Sequence, residues 1–372
     1  MAFSSQLAPL LAEPTPLMRQ FAALLEPMDD ARLEQLKKAS AALTRKYFGR
    51  TMRLFAPLYL SNECINTCAY CGFSRDNPIV RVTLEIDEMM KEVRHLAREG
   101  FRNILLVAGE HPKFVSNGYL EACVRRMAGE IPGIGLEVAP METEDYRPLV
   151  AAGAETLIVY QETYHLETYR ELHTAGPKKN FLWRLDCPER AYHAGFRRIG
   201  VGALYGLADW KYEALALAAH LEYLHKICWR AQLSVSLPRM RPAAGGFVPR
   251  HWLPDREFLQ LICALRLAFP HVGITLSTRE PAGLRDAIAS YGVTMMSAGS
   301  HTEPGGYTGQ GAEHFHQTLR GARQVALETP AESATGQFGI SDERPPAAVA
   351  EVLRTLGLEP VWKDWDAAIL NG

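Results

Sequence analysis

The chain has 372 residues, 47% of them hydrophobic, enough to bury a large core as one big α/β domain with additions or as two ordinary domains. Its 40 basic and 42 acidic side chains balance and neither sign gathers in long runs, so a small molecule is the expected partner, not nucleic acid or an anionic membrane surface. No window reaches membrane-spanning apolar length, and an odd count of seven cysteines without an export signal speaks against a disulfide framework. The N-terminal stretch MAFSSQLAPLLAEPTPLM has no basic residue before Arg19 and is interrupted by Pro9, Glu13, Pro14 and Pro16, so it fits neither a signal nor a transit peptide. The expected setting is the reducing cytoplasm.

In chain order, residues 1–53 are expected to form a helical N-terminal extension, with a main helix through ARLEQLKKASAALTRKYFG opened by Asp29 and Asp30. From Leu54 short apolar runs alternate with longer amphipathic segments: LFAPLYL, TLEIDEMMKEVRHLAREG, NILLVAG, YLEACVRRMAGE, GIGLEVAP. The rhythm continues through TLIVYQ, the helical YHLETYRELH, a second helical stretch from Asn180 to Ala194, RIGVGAL, KYEALALAAHLEYLHKICW, LSVSLP, REFLQLICALRLAF, GITLSTR, LRDAIAS and VTMMSAG. Strands are predicted at about 54–60, 103–108, 134–139, 156–161, 198–203, 233–237, 272–277 and 293–297. Eight βα steps over residues 54–300 predict a closed, TIM-like (β/α)8 barrel, with an open doubly wound sheet as the alternative. Residues 301–372 follow, with the glycine-rich EPGGYTGQG, the helical AAVAEVLRTLG and the terminal PVWKDWD; they are expected to be a C-terminal extension capping the barrel, not a further repeat.

The first strand runs directly into SNECINTCAYCGF, in which Cys64, Cys68 and Cys71 are spaced C-x3-C-x2-C at the carboxyl end of a barrel strand, the face where such barrels build their sites. Thiolates are soft ligands suited to iron–sulfur clusters, zinc or copper(I). Zinc is the competing reading, in a zinc-stabilised α/β protein that binds a partner without redox chemistry, but structural zinc takes four ligands, and no fourth cysteine or histidine stands nearby in sequence. Three thiolates on a [4Fe-4S] cluster leave one iron open, and an open iron can chelate the amino and carboxylate groups of S-adenosylmethionine (SAM). Cys64, Cys68, Tyr70 and Cys71 resemble the C-x3-C-x-aromatic-C signature of the radical SAM superfamily.

The segments PLYLSNECINTCAYCGF, LLVAGEHP, VYQETYH, SVSLPRMRP, LSTRE, PGGY at 304–307 and PVWKDWD narrow the resemblance to the 2-iminoacetate synthase (ThiH, tyrosine lyase) family of thiamine biosynthesis. The resemblance implies cleavage of the Cα–Cβ bond of L-tyrosine to 2-iminoacetate and p-cresol, with 5'-deoxyadenosine and methionine formed from SAM. It also implies electrons from a flavodoxin or ferredoxin and a possible complex with thiazole synthase. The related tyrosine lyase of hydrogenase maturation uses an additional C-terminal cluster, whereas no cysteine here follows Cys263. A lyase for another aromatic amino acid stays open, because loops change specificity on one scaffold.

Against this family, Gly109 and Glu110 in LLVAGEHP occupy the place usually written GGE, with Ala108 for the first glycine, and are expected at the methionine end of SAM. Glu162 and Arg184 match positions that contact SAM, although a structural ion pair between them is the alternative; Tyr70 packs on the adenine or simply shields the cluster. Arg279 in LSTRE is the expected partner of the tyrosine α-carboxylate, since guanidinium binds carboxylate bidentately, with Ser277, Thr278 and Ser297 as supporting donors. Arg239 and Arg241 are as readily structural. His111, Tyr164 and His301 are the candidates for a group near the substrate phenol. Cys123, Cys187, Cys228 and Cys263 read as core residues.

Overall fold

The alternation of apolar runs and amphipathic segments folds into a ring of eight parallel strands in a computed structural model that describes residues 13–319 and 323–362. The strands are β1 (Thr51–Ser61), β2 (Asn103–Ala108), β3 (Gly133–Glu137), β4 (Thr156–Glu162), β5 (Arg198–Ala203), β6 (Gln232–Ser236), β7 (Gly273–Leu276) and β8 (Met295–Ser297). Pairing of β8 with β1 closes the ring, so the open-sheet alternative is excluded. Followed from strand to strand, the register carries Tyr59 of β1 round the ring to Thr51 of the same strand, a shear of eight for eight strands, which is the geometry of a TIM barrel.

Two apolar cores follow from the period-2 alternation along each strand. Leu54, Ala56, Leu58 and Leu60 point outward into the core shared with the helices, whereas Phe55 and Tyr59 point into the bore with Leu105, Val107 and Ile158. The register sets Pro57, Glu137, Gly202 and Ser277 in one layer of the bore, contributed by alternate strands.

The outer helices are α1 (Pro16–Leu24), α2 (Asp30–Phe48), α3 (Ile86–Arg98), α4 (Asn117–Ala128), α5 (Thr143–Ala152), α6 (Leu166–Leu172), α7 (Phe181–Leu185), α8 (Cys187–Ala194), α9 (Trp210–Ile227), α10 (Asp255–Ala268), α11 (Ala282–Ile288) and α12 (Pro346–Thr355). In the N-terminal pair Thr15 accepts from the Met18 amide at 3.2 Å, and Asp29, expected to open the main helix, accepts from that of Arg32 at 2.8 Å. Both helices pack on α10. The stretch expected as one helix from Asn180 to Ala194 is two, broken at Asp186, because Pro188 has no N–H to give and its ring would strike the Arg184 carbonyl. Among the described residues no helix is long and apolar enough to cross a membrane.

The C-terminal segment supplies a strand that sequence periodicity missed. Glu359–Val361, which takes in the first two residues of PVWKDWD, forms β9, which pairs in parallel with the start of β1 outside the ring, and Trp362 packs edge-on against Phe101 at 5.1 Å. The remainder of that motif, from Lys363, and the N-terminal stretch 1–12 lie outside the described residues. At the opposite end, residues 334–342 cross the mouth of the barrel. Asp342 is anchored there to Arg285, both side chains fully buried, and Arg344 bonds Asp342 at 2.7 Å and Asp286 at 2.9 Å. Removing one member leaves a buried charge alone, so Asp342→Asn is expected to lower unfolding stability by about 3–5 kcal/mol, measured by urea denaturation.

Candidate active site at the barrel mouth

The cysteine loop leaves the end of β1 and is held from several sides. Arg81, fully buried, donates to the carbonyls of Asn62 (2.5 Å), Phe73 (3.2 Å) and Ser74 (2.8 Å), so one guanidinium fixes both ends of the loop. Asn77 donates to the carbonyls of Cys71 and Gly72, and the Cys68 amide donates to Ser74 Oγ at 3.2 Å. Thr67–Cys68 pairs with His173–Ala175. Overhead, the Gly72 amide donates to the Gln337 carbonyl at 3.1 Å, and a side chain at Gly72 would meet that carbonyl at 2.4 Å. Cys64 and Cys68 are buried and Cys71 is partly open. Burial pushes the thiols of Cys68 and Cys71 up while Lys178 pulls them down, so a metal's charge is what would keep them as thiolates. Among the described residues no three His, Cys, Asp or Glu converge on a single ion. One zinc ion needs such convergence; a cluster, with one thiolate per iron, does not.

Gly109 sits under this loop. A Cβ there would lie 2.2 Å from the Glu63 carbonyl and 3.4 Å from Cys64, so its missing side chain makes room for the cysteine loop itself. Glu110 accepts from Asn66 Nδ2 at 2.7 Å and its carbonyl accepts from the Ile65 amide at 2.8 Å; Asn66 in turn reaches Cys64 Sγ at 3.6 Å. Gly109 and Glu110 thus brace the cluster loop in this structure.

Glu162 ends β4 with φ 70°, the sole non-glycine residue with positive φ among those described, a strain of the kind that gathers at functional sites. Its carboxylate takes Lys178 Nζ at 2.7 Å and Arg184 Nη2 at 3.3 Å, and Arg184 Nε donates to the Tyr160 carbonyl at 2.6 Å. The ion pair anticipated between Glu162 and Arg184 is present, and Lys178, from GPKK, joins it. Burial alone would raise the Glu162 carboxyl; Lys178 and then Arg184 outweigh it and hold it at about 2. Glu162→Gln leaves two buried cations unmatched and is expected to cost the apoprotein about 3 kcal/mol at pH 7. Because the folded carboxyl lies below its ordinary value of 4.5, that stability is present above pH 4.5 and is lost as pH falls toward 2, so wild type and variant should converge in acid urea melts.

Tyr70 is buried, with its hydroxyl 2.7 Å from His173 Nε2 and its ring edge-on to His173 and Phe247. His173 Nδ1 stands 2.8 Å from the Tyr169 carbonyl, which can only accept, so Nδ1 carries the proton and Nε2 accepts from Tyr70. Burial and the charge of Lys178 hold His173 neutral, its value lowered to about 3. These contacts suit the shielding role for Tyr70.

Below the mouth lies a cavity lined by Tyr59, Tyr160, Ser236, Ser277, Arg279 and Glu137 among others. Arg279 stacks its guanidinium 3.3 Å from the Phe338 ring centroid and makes no ion pair among the described residues. Thr278 and Ser297 also line this cavity, but the Ser297 hydroxyl accepts from the Thr278 amide at 3.0 Å and the Thr278 carbonyl accepts from Ser341 and Asp342. They shape the turn that carries Arg279. Arg239 and Arg241 converge on Glu280, as structural cations do.

None of the three groups considered for the substrate phenol lines this cavity. His111 packs on Phe114 at 4.5 Å, Tyr164 is buried behind β4 with its hydroxyl 2.8 Å from His220, and His301 pairs with Glu303 at 2.8 Å in a neighbouring groove. Cys123, Cys187, Cys228 and Cys263 are buried in the core, as expected.

The Radical SAM superfamily model matches residues 58–221, and the Biotin and Thiamin Synthesis associated domain matches residues 236–359. The chain is 40% identical to the 2-iminoacetate synthase of Escherichia coli (strain K12) over 346 residues, 93% of this chain and 86% of that one, and 39% identical over the same length to that of Salmonella typhimurium (strain LT2). The chain belongs to the 2-iminoacetate synthase family. Among solved structures it resembles the FeFe-hydrogenase maturase HydG from Carboxydothermus hydrogenoformans, with a TM-score of 0.82 and 35% identity over 97% of this chain and 79% of that one. Membership of the 2-iminoacetate synthase family places a [4Fe-4S] cluster and SAM in this barrel. Within this family frame, Arg81, Lys178 and Glu137 are the residues that motif reading passed over. Lys178 alone had a local signal, a doubled lysine beside the strand–loop unit that carries Glu162.

Proposed function

We propose that this chain cleaves the Cα–Cβ bond of L-tyrosine, giving 2-iminoacetate and p-cresol and supplying the imine to thiamine thiazole formation. The observation that carries the reading is the 40% identity to a 2-iminoacetate synthase over 93% of the chain, joined to a three-cysteine loop above a cavity with an unpaired arginine. Cys64, Cys68 and Cys71 would hold the cluster, with one iron left for SAM. When bound and reduced, cluster and SAM supply a 5'-deoxyadenosyl radical. Glu162, Arg184 and Lys178 set alternating charge beside the cysteines, suited to a zwitterionic sulfonium, and Tyr70 keeps water from the cluster.

Arg279 holds the α-carboxylate of tyrosine, and Phe338 fixes the plane of its guanidinium. Ser277, Thr278 and Ser297 hold the turn that aims it. The carbon pair that keeps the nitrogen leaves as 2-iminoacetate; the hydroxybenzyl fragment gains one electron and one proton to become p-cresol. A flavodoxin or ferredoxin supplies the electrons, and thiazole synthase is the protein to which the imine passes.

Anaerobically reconstituted protein with SAM, dithionite and L-tyrosine is expected to release 5'-deoxyadenosine and p-cresol together in tyrosine-dependent amounts, read by chromatography. Deoxyadenosine without p-cresol would contradict the substrate assignment.

A further inference from the structure

One carboxylate in the cavity has no cation beside it among the described residues. Glu137 ends β3 with its side chain in the bore, and no hydrogen bond or ion pair reaches its carboxylate from the described residues. The cavity's other carboxylate, Glu280, is taken up by Arg239 and Arg241. Glu137 shares its layer of the barrel with Ser277, while Arg279 stands two residues further along the chain, toward the mouth. The cavity therefore has a free cation near its mouth and a free carboxylate below, with the tyrosyl rings of Tyr59 and Tyr160 on its wall.

This polarity orients an aromatic amino acid. With the α-carboxylate on Arg279, the amino-acid end lies at the mouth beside the cysteine loop, where the bond to be broken must be reached. The ring then runs down the bore toward Glu137. We infer that Glu137 accepts the hydrogen bond of the substrate's para-hydroxyl and thereby selects tyrosine over phenylalanine.

The inference rests on the lyase reading above and adds its specificity determinant. A carboxylate left unpaired in a partly buried site discriminates strongly against a ligand that brings no donor to it. Burial, and next the negative charge of Glu162, raise the Glu137 carboxyl to about 7, against the opposing charges of Arg279, Arg184 and Lys178. Tyr59 and Tyr160 are the other titratable groups that face it, and both stay neutral because burial, and Glu137 after it, raise their hydroxyls. A phenolic O–H is then the donor that favours the ionised carboxylate.

The test uses Glu137→Gln in the reconstituted holoenzyme, with the KM of L-tyrosine and the inhibition constant of L-phenylalanine against tyrosine turnover as readouts. The tyrosine KM is expected to rise about 5- to 10-fold, the difference between a hydrogen bond to a charged acceptor and the neutral one that glutamine still accepts, while the phenylalanine constant stays within about twofold. An equal rise in both would mark Glu137 as the partner of the α-ammonium, and no rise in either would mark it as a bystander; both overturn the inference. If the variant fails to hold its cluster, the wild type decides: its tyrosine KM should climb as pH falls through 7 while the phenylalanine constant stays level, and parallel profiles overturn the inference. Wild-type protein that makes no p-cresol defeats the lyase reading instead, before any variant is compared.

Discussion

Cys68→Ala is expected to abolish tyrosine-dependent p-cresol and deoxyadenosine formation, by at least about a thousandfold, beyond the 10- to 100-fold that outer-shell partners of a metal site cost. The loss is of a ligand and not of the fold. Cys68 packs in a small patch with Tyr70, Leu172, Leu204, Leu207 and Met240, separate from the core between strands and helices. Trimming one sulfur there costs about 1 kcal/mol, too little to unfold a barrel. Iron content and far-ultraviolet circular dichroism measured on one preparation check this: iron should fall and the spectrum should not. Normal turnover with the thiol gone would remove Cys68 from the ligand set.

Arg279→Ala is expected to lower kcat/KM for tyrosine by about 10- to 150-fold, the worth of charge-assisted hydrogen bonds at roughly 1.5–3 kcal/mol, with most of the change in KM. Arg279→Lys should recover little, because an ammonium keeps the charge but loses both the carboxylate fork and the face that stacks on Phe338. Steady-state kinetics across tyrosine concentration separates the terms. A fall in kcat at unchanged KM would show that Arg279 acts elsewhere than on the ground-state carboxylate.

Much of this architecture was legible because barrel strands are short apolar runs between amphipathic helices, and the bounds of all eight fell within three residues of their predicted places. The cysteine motif was legible because its three ligands sit on one loop, so their spacing is local. What escaped depends on the ring. Glu137 reads as an ordinary polar residue at the end of GIGLE, and only the shear of eight, which brings β3 and β7 into one layer, sets it below Arg279. Arg81 lies ten residues past the last cluster cysteine and returns to the loop through carbonyl contacts that leave no spacing rule. His301 and His111 looked suited to acid–base work, but a histidine near a motif is decided by where its loop turns, and both turn outside the cavity. β9 escaped because Glu359–Val361 is three residues long and includes a proline; an edge position beside β1 tolerates that proline.

One bond of tyrosine, Cα–Cβ, is broken in this barrel. The most direct measurement supplies tyrosine labelled with carbon-13 at the carboxyl and α carbons to the reconstituted enzyme and follows the label after the imine hydrolyses. Glyoxylate carrying both labelled carbons and p-cresol carrying none, in equal amounts, are expected. Label in the aromatic product, or a labelled three-carbon fragment, would contradict this cleavage.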